Sequence, residues 1–179
     1  DRQQPFTHLD RFEGASRVLN QALSRQSIES MNLSVVIDDA QRQLEIRATL
    51  HVASQEPGRR RFAFLLNPAF NVNTVSVEGQ AVPFTWKQGL LTVTAPRAFD
   101  TGEAMTMVVQ YAGRPAARTL QEPVFTDTHC LLPAFAFWHP FDMRSFMDVS
   151  LSVQIPDGWH VTARPNAGYT PTGDGATTV

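Results

Sequence analysis

The sequence predicts an all-β fold: antiparallel sheets in a β-sandwich or saddle, with a short amphipathic helix at the N-terminus. Three observations predict it. From Met31 onward, apolar and polar residues alternate with a period of two, the signature of strands with one buried face. Turn residues (Gly, Pro, Asp, Asn) recur between these runs at short, regular intervals. Helical spacing occurs once, before residue 30, and does not return.

The elements follow in order. Between Arg11 and Arg25, Phe12, Ala15, Val18, Leu19, Ala22 and Leu23 share one helical face, with Asp10 as N-cap and Glu13 at the capping-box position. Its polar face is not rich in lysine or arginine, so this helix reads as one that packs on protein, not on a membrane surface. A hairpin comes next. Leu33, Val35 and Ile37 alternate with Ser34, Val36 and Asp38, Asp38-Asp39-Ala40-Gln41 turns, and Leu44, Ile46, Ala48, Leu50 and Val52 alternate with Glu45, Arg47, Thr49 and His51. Further strands are expected from Phe62 to Leu66, through Val72, Val75 and Val77, from Val82 to Trp86, from Leu90 to Val93 with an end at Pro96, and from Met105 to Tyr111. Gly113 to Pro123 reads as a polar connection and Asn166 to Gly175 as a loop. Residues 1–29 thus form an extension and residues 30–179 a β domain.

Composition narrows the function. A chain of 179 residues with 42% apolar residues can bury a core. A formal net charge of -2, with Lys87 the only lysine, gives no basis for binding nucleic acid. Cys130 is the only cysteine, so no disulfide forms within the chain. No apolar run approaches the roughly 18 residues that span a bilayer. The chain opens with Asp1-Arg2-Gln3-Gln4 and closes on Thr177-Thr178-Val179, the start of a strand, which reads as a piece of a longer polypeptide. Arginine bias, one thiol and the missing initiator methionine favour an extracytoplasmic or membrane-associated bacterial setting, although a single thiol suits the cytoplasm as well.

No catalytic set is legible. The five histidines form no H-E-x-x-H pair, and there is no G-x-S-x-G and no glycine-rich phosphate loop. Asp127 and His129 would share a strand face while Cys130 points away from them, and two ligands do not make a zinc site. Cys130 lacks an evident base and is followed by Leu131 and Leu132, which reads as a buried small apolar side chain. Asp142 reads as a cap on turn amides rather than as an acid/base partner of Asp148. The aromatics Phe135, Phe137, Trp138 and Phe141 read as core or interdomain contact.

The most informative stretch is the aromatic-proline corner Phe137-Trp138-His139-Pro140-Phe141-Asp142, which leads to the strand Phe146–Val149 and the turn Ile155-Pro156-Asp157-Gly158-Trp159. The opening hairpin, Val75-Ser76-Val77-Glu78-Gly79, Val109-Gln110-Tyr111-Ala112-Gly113, this corner and the closing turn come in an order that resembles the N-terminal β domain of the zinc aminopeptidases, the aminopeptidase N and leukotriene hydrolase superfamily. The likeness covers roughly residues 30–179. It implies a non-catalytic domain that packs against the catalytic domain of the same polypeptide and shapes a cleft for peptide substrate. It also implies that zinc is held by the parent protein and not by this domain. The corner and its approach (Asp127, His129, Phe137, Trp138, His139 and Asp142) are then candidates for the cleft or interdomain surface. The family places a glutamine or glutamate shortly before the corner to grip the substrate amino group; Thr126-Asp127-Thr128-His129-Cys130-Leu131 contains neither. An alternative reading is a free-standing β-sandwich binding or adhesion module of a bacterial extracytoplasmic protein.

Overall fold

The computed structural model describes residues 23–114, 124–126, 129–133, 136–142, 147–160, 170–172 and 176–178. The expected helix over Arg11–Arg25 lies almost entirely outside them. The described residues form thirteen strands: β1 (Gln26–Asp38), β2 (Gln43–Ser54), β3 (Arg59–Leu65), β4 (Phe70–Val77), β5 (Gln80–Ala81), β6 (Phe84–Lys87), β7 (Leu90–Phe99), β8 (Ala104–Gly113), β9 (Val124–Phe125), β10 (Cys130–Leu131), β11 (Asp148–Gln154), β12 (Thr170–Thr172) and β13 (Ala176–Thr178). They make an eight-stranded sheet in the order β12-β13-β11-β1-β2-β8-β4-β5, a three-stranded sheet β3-β7-β6, and the small pair β10-β9.

The alternation read from the sequence sets the register. In the β1–β2 hairpin Leu33 faces Ala48 and Val35 faces Ile46. Leu33, Val35, Leu44, Ile46, Ala48, Leu50 and Val52 are all buried, on the face that meets the small sheet. β8 adds Met105, Met107, Val109 and Tyr111 to that face, and the small sheet answers with Phe62, Phe64, Leu91, Val93 and Phe99. The opposite face of the hairpin carries the polar set. The turn closes as expected: Asp38 Oδ1 accepts the Gln41 amide at 2.9 Å.

From Phe62 to Leu65, β3 is buried on both faces. Phe62 and Phe64 enter the main core, while Ala63 and Leu65 join Leu23, Leu90, Phe137 and Phe141 in a second cluster. Arg59, at the start of β3, is 6% exposed and bonds Glu56 at 2.6 Å. Burial lowers its pKa, and the Glu56 bond opposes the shift.

The structure differs from the sequence reading in four places. β1 and β11 run parallel, with Leu33 opposite Leu151, so the large sheet is mixed rather than wholly antiparallel. β7 continues through Pro96. Arg61 faces Thr94 while Arg59 faces Phe99, so the chain bulges between them, and Arg60 Nη2 binds the Pro96 carbonyl at 3.1 Å. The expected strand from Val82 to Trp86 begins only after Pro83, as β6, and runs on to Lys87; the Pro83 carbonyl accepts the Thr94 amide at 3.0 Å. Part of the expected loop from Asn166 to Gly175 is β12.

Glycine is required where Phe70 and β2 close on the end of β8. Gly113 is opposite both Leu44 and Phe70, and a Cβ built there would stand 2.7 Å from Phe70 Cδ1 and 2.9 Å from Phe70 Cα. Phe70 in turn meets the Tyr111 ring edge-on at 5.4 Å. Gly113→Ala should therefore destabilise the fold by about 2–3 kcal/mol, the cost of overpacking a site that cannot give, read as a lower urea midpoint at unchanged slope.

Candidate functional site: the aromatic-proline corner

Residues 136–142 lie across the outer edge of β3. Leu65 N donates to Phe141 O at 2.8 Å, and Phe141 N donates back to Leu65 O at 2.9 Å. Asn67 N donates to Phe137 O at 2.7 Å, and Asn67 Nδ2 to Ala136 O at 3.0 Å. From there the corner reaches the large sheet twice. Tyr111 Oη, on β8, donates to Trp138 O at 3.0 Å. Asp142 Oδ2 accepts the Ile28 amide of β1 at 2.8 Å, just before the bulge at Glu29 where β1 shifts register against β2. The corner thus fastens the two sheets to each other.

Asp142 reaches well beyond its own turn, because the Ile28 amide it takes is 114 residues away. Nor is Asp142 on an open surface: it is 0% exposed, and Trp138 is 7% exposed, both enclosed within this chain. Phe137 and His139 are half-buried, and Phe137 tilts against Phe141 at 5.4 Å. His129 is exposed and stands apart on the β9–β10 turn, where its amide and ring Nδ1 meet Thr126 Oγ1 at 3.1 and 3.0 Å. Asp127 lies outside the described residues. Asp148, on β11, is exposed, so it and the enclosed Asp142 occupy opposite environments.

The structure adds residues that the sequence did not single out. Gln26 is 1% exposed and acts as a surrogate strand: its Oε1 accepts the Ala63 amide at 3.0 Å and its Nε2 donates to Ala63 O at 2.5 Å. Arg59 Nη2 donates to the same Oε1 at 3.2 Å. Asn67 and Tyr111 seat the corner as described. A polar side chain on the first residue of a strand looks like a loop residue in sequence, so Gln26 carried no signal. Tyr111 lies in the Tyr-Ala-Gly stretch that the resemblance rests on.

The side chains of Gln26, Asn67, Tyr111 and Asp142 hold backbone groups. No group of three or more His, Cys, Asp or Glu among the described residues could hold a metal ion. On the outer face of β2, β1 and β11, Asn32, Ser34, Arg47, Thr49, Ser150 and Ser152 line a shallow depression of about 270 Å³. No helix among the described residues is long and apolar enough to cross a membrane.

Two side chains give titration tests. Burial pushes the Cys130 thiol up to about 11, so at neutral pH it is protonated and unreactive. Alkylation of the native chain should be slow at pH 7 and accelerate as pH climbs towards 11; fast labelling at pH 7 would mark an activated thiol. His139 is lowered by burial, with an opposing contribution from its Nδ1–H bond to Pro140 O at 3.1 Å. A base held neutral in the folded state binds more protons when unfolded. Its contribution to stability is therefore intact above about pH 6.5 and is lost as pH falls below that value. Urea midpoints measured from pH 7.5 to 5 should fall, and His139→Gln should flatten the slope.

No protein-family model and no curated protein matches this sequence. Solved structures do match its shape. The M1 zinc metallopeptidase from Deinococcus radiodurans is 18% identical with a TM-score of 0.57, the alignment covering 86% of this chain and 38% of that one. A mutant of the Deinococcus protein bound to a Tyr-Ser-Ala substrate is 19% identical with a TM-score of 0.57, at the same coverage. A two-domain M1 zinc metallopeptidase mutant bound to L-arginine is 19% identical with a TM-score of 0.62, again covering 86% of this chain and 38% of its own. This chain therefore spans well under half the length of the proteins it matches, and at this identity the likeness is one of fold. The fold of this chain is that of the N-terminal part of the M1 zinc metallopeptidases.

Proposed function

We propose that this chain is the non-catalytic N-terminal β domain of a zinc aminopeptidase-like protein, packed against the catalytic part of the same polypeptide and forming one wall of its substrate cleft. The observation that carries the reading is the structural likeness itself, which takes in 86% of the chain. The order of motifs in the sequence points to the same family independently. In this reading zinc and the residues that activate water belong to the catalytic part. The β domain supplies a wall that does not yield, because the corner is tied to β3 through Phe141 and Phe137, to β8 through Tyr111, and to β1 through Asp142.

The test has two arms. The purified chain, given zinc and aminoacyl reporter substrates, should show no turnover above blank and should retain no zinc after dialysis. Co-expressed with the polypeptide encoded downstream of it, the chain should co-purify with a zinc-loaded peptidase. Turnover by the chain alone that survives stringent purification would overturn the non-catalytic role. A downstream sequence without H-E-x-x-H, made instead of further β modules, would replace this reading with that of a binding module.

A further inference from the structure

β3 has a second apolar side, facing away from the main core, and a residue from before β1 closes on it. Leu23 is 1% exposed and packs with Ala63 and Leu65 of β3, and Leu90, Phe137 and Phe141 are partly buried against them. Leu23 and Ser24 are helical. An α-helical turn is held by bonds from each amide to the carbonyl four residues earlier, so two helical residues here are the close of a longer element. The chain is rooted directly after them. Arg25 O accepts the Gln55 amide at 2.9 Å, Arg25 Nη1 donates to Glu56 Oε2 at 2.9 Å, and Gln26 Oε1 accepts the Ala63 amide at 3.0 Å. The burial of Leu23 decides which face of that element meets the sheet. Counting back from it in steps of three or four gives Leu19, Ala15 and Phe12, all apolar. Glu13, Arg17 and Gln21, four apart, fall on the other side.

We propose that Phe12–Leu23 is an amphipathic helix seated on this second cluster, so that the outer side of the aromatic-proline corner is covered by the chain's own N-terminal segment. That segment is the occupant because its last turn is already in place. Any other body docking on Phe137 and Phe141 would have to share a cluster that Leu23 enters and that the bonds at Arg25 and Gln26 hold shut. The 22 residues before Leu23 contain the whole apolar stripe, about three helical turns of it. Contact with a catalytic part then falls to surfaces other than the Phe137–Phe141 side. The seat stands on the packing of Leu23 and holds whether or not the parent protein is a peptidase.

The test places a photoreactive benzophenone amino acid in the whole chain, in place of Leu19 or of Gln21, and maps the cross-linked peptides by mass spectrometry. The probe at Leu19 should join to peptides of the same chain that contain Leu65, Leu90, Phe137 or Phe141. The probe at Gln21, on the polar side, should lose that product. Trypsin gives a second reading, because a docked helix resists cleavage after Arg17. Leu19→Glu should speed that cut by roughly tenfold or more, and Gln21→Glu should leave it at the rate of the unaltered chain. The proposal fails if the probe at Leu19 gives no product within its own chain, or if it captures a second copy or the downstream polypeptide co-expressed with it. It fails equally if the two probes give the same products, or if Arg17 is cut at one rate in all three chains.

Discussion

Everything in this fold depends on satisfying the outer edge of β3. From Phe62 onward that strand is buried on both faces, so water cannot take up the backbone groups its neighbours leave unpaired, and each orphan would cost about 1–3 kcal/mol. Another strand would be the ordinary solution. Here the work falls to one side chain, Gln26, and to seven residues of irregular backbone. Because Gln26 begins β1 and Asp142 holds the Ile28 amide, the devices that close the small sheet also set its position against the large one. Edge protection and sheet-to-sheet registration are thus one set of hydrogen bonds.

Polar groups of this aromatic stretch are engaged with backbone. Asp142 spends a carboxylate oxygen on a backbone amide, Trp138 spends its carbonyl on Tyr111, and His139 turns its Nδ1 to the next residue's carbonyl. A catalytic carboxylate or imidazole needs a free atom facing substrate. These bonds hold the corner's own shape.

The sequence made some of this legible and hid the rest for identifiable reasons. Period-two alternation gave the β1–β2 hairpin and its buried face, because burial of one face leaves a local imprint at every second position. The corner was visible as a motif. The burial of Asp142 was not, because the amide that it takes lies on a strand far away in sequence. Pro96 misled, since proline ends a regular ladder and nothing local says that its own strand will bulge and then pair again. The parallel partner of β1 was hidden as well, because alternation shows which face of a strand is buried and says nothing about which strand lies beside it.

That parallel pair bears on how the chain is made. Ser30 aligns with Asp148, so the flank of β1 waits for its neighbour until nearly all of the described chain has left the ribosome. The hairpin with β2 can form early, from contacts close in sequence, but one long side of it then stands bare until β11 emerges. A nascent chain in this state offers an unpaired β margin to every other nascent chain nearby, and slow synthesis lengthens that exposure.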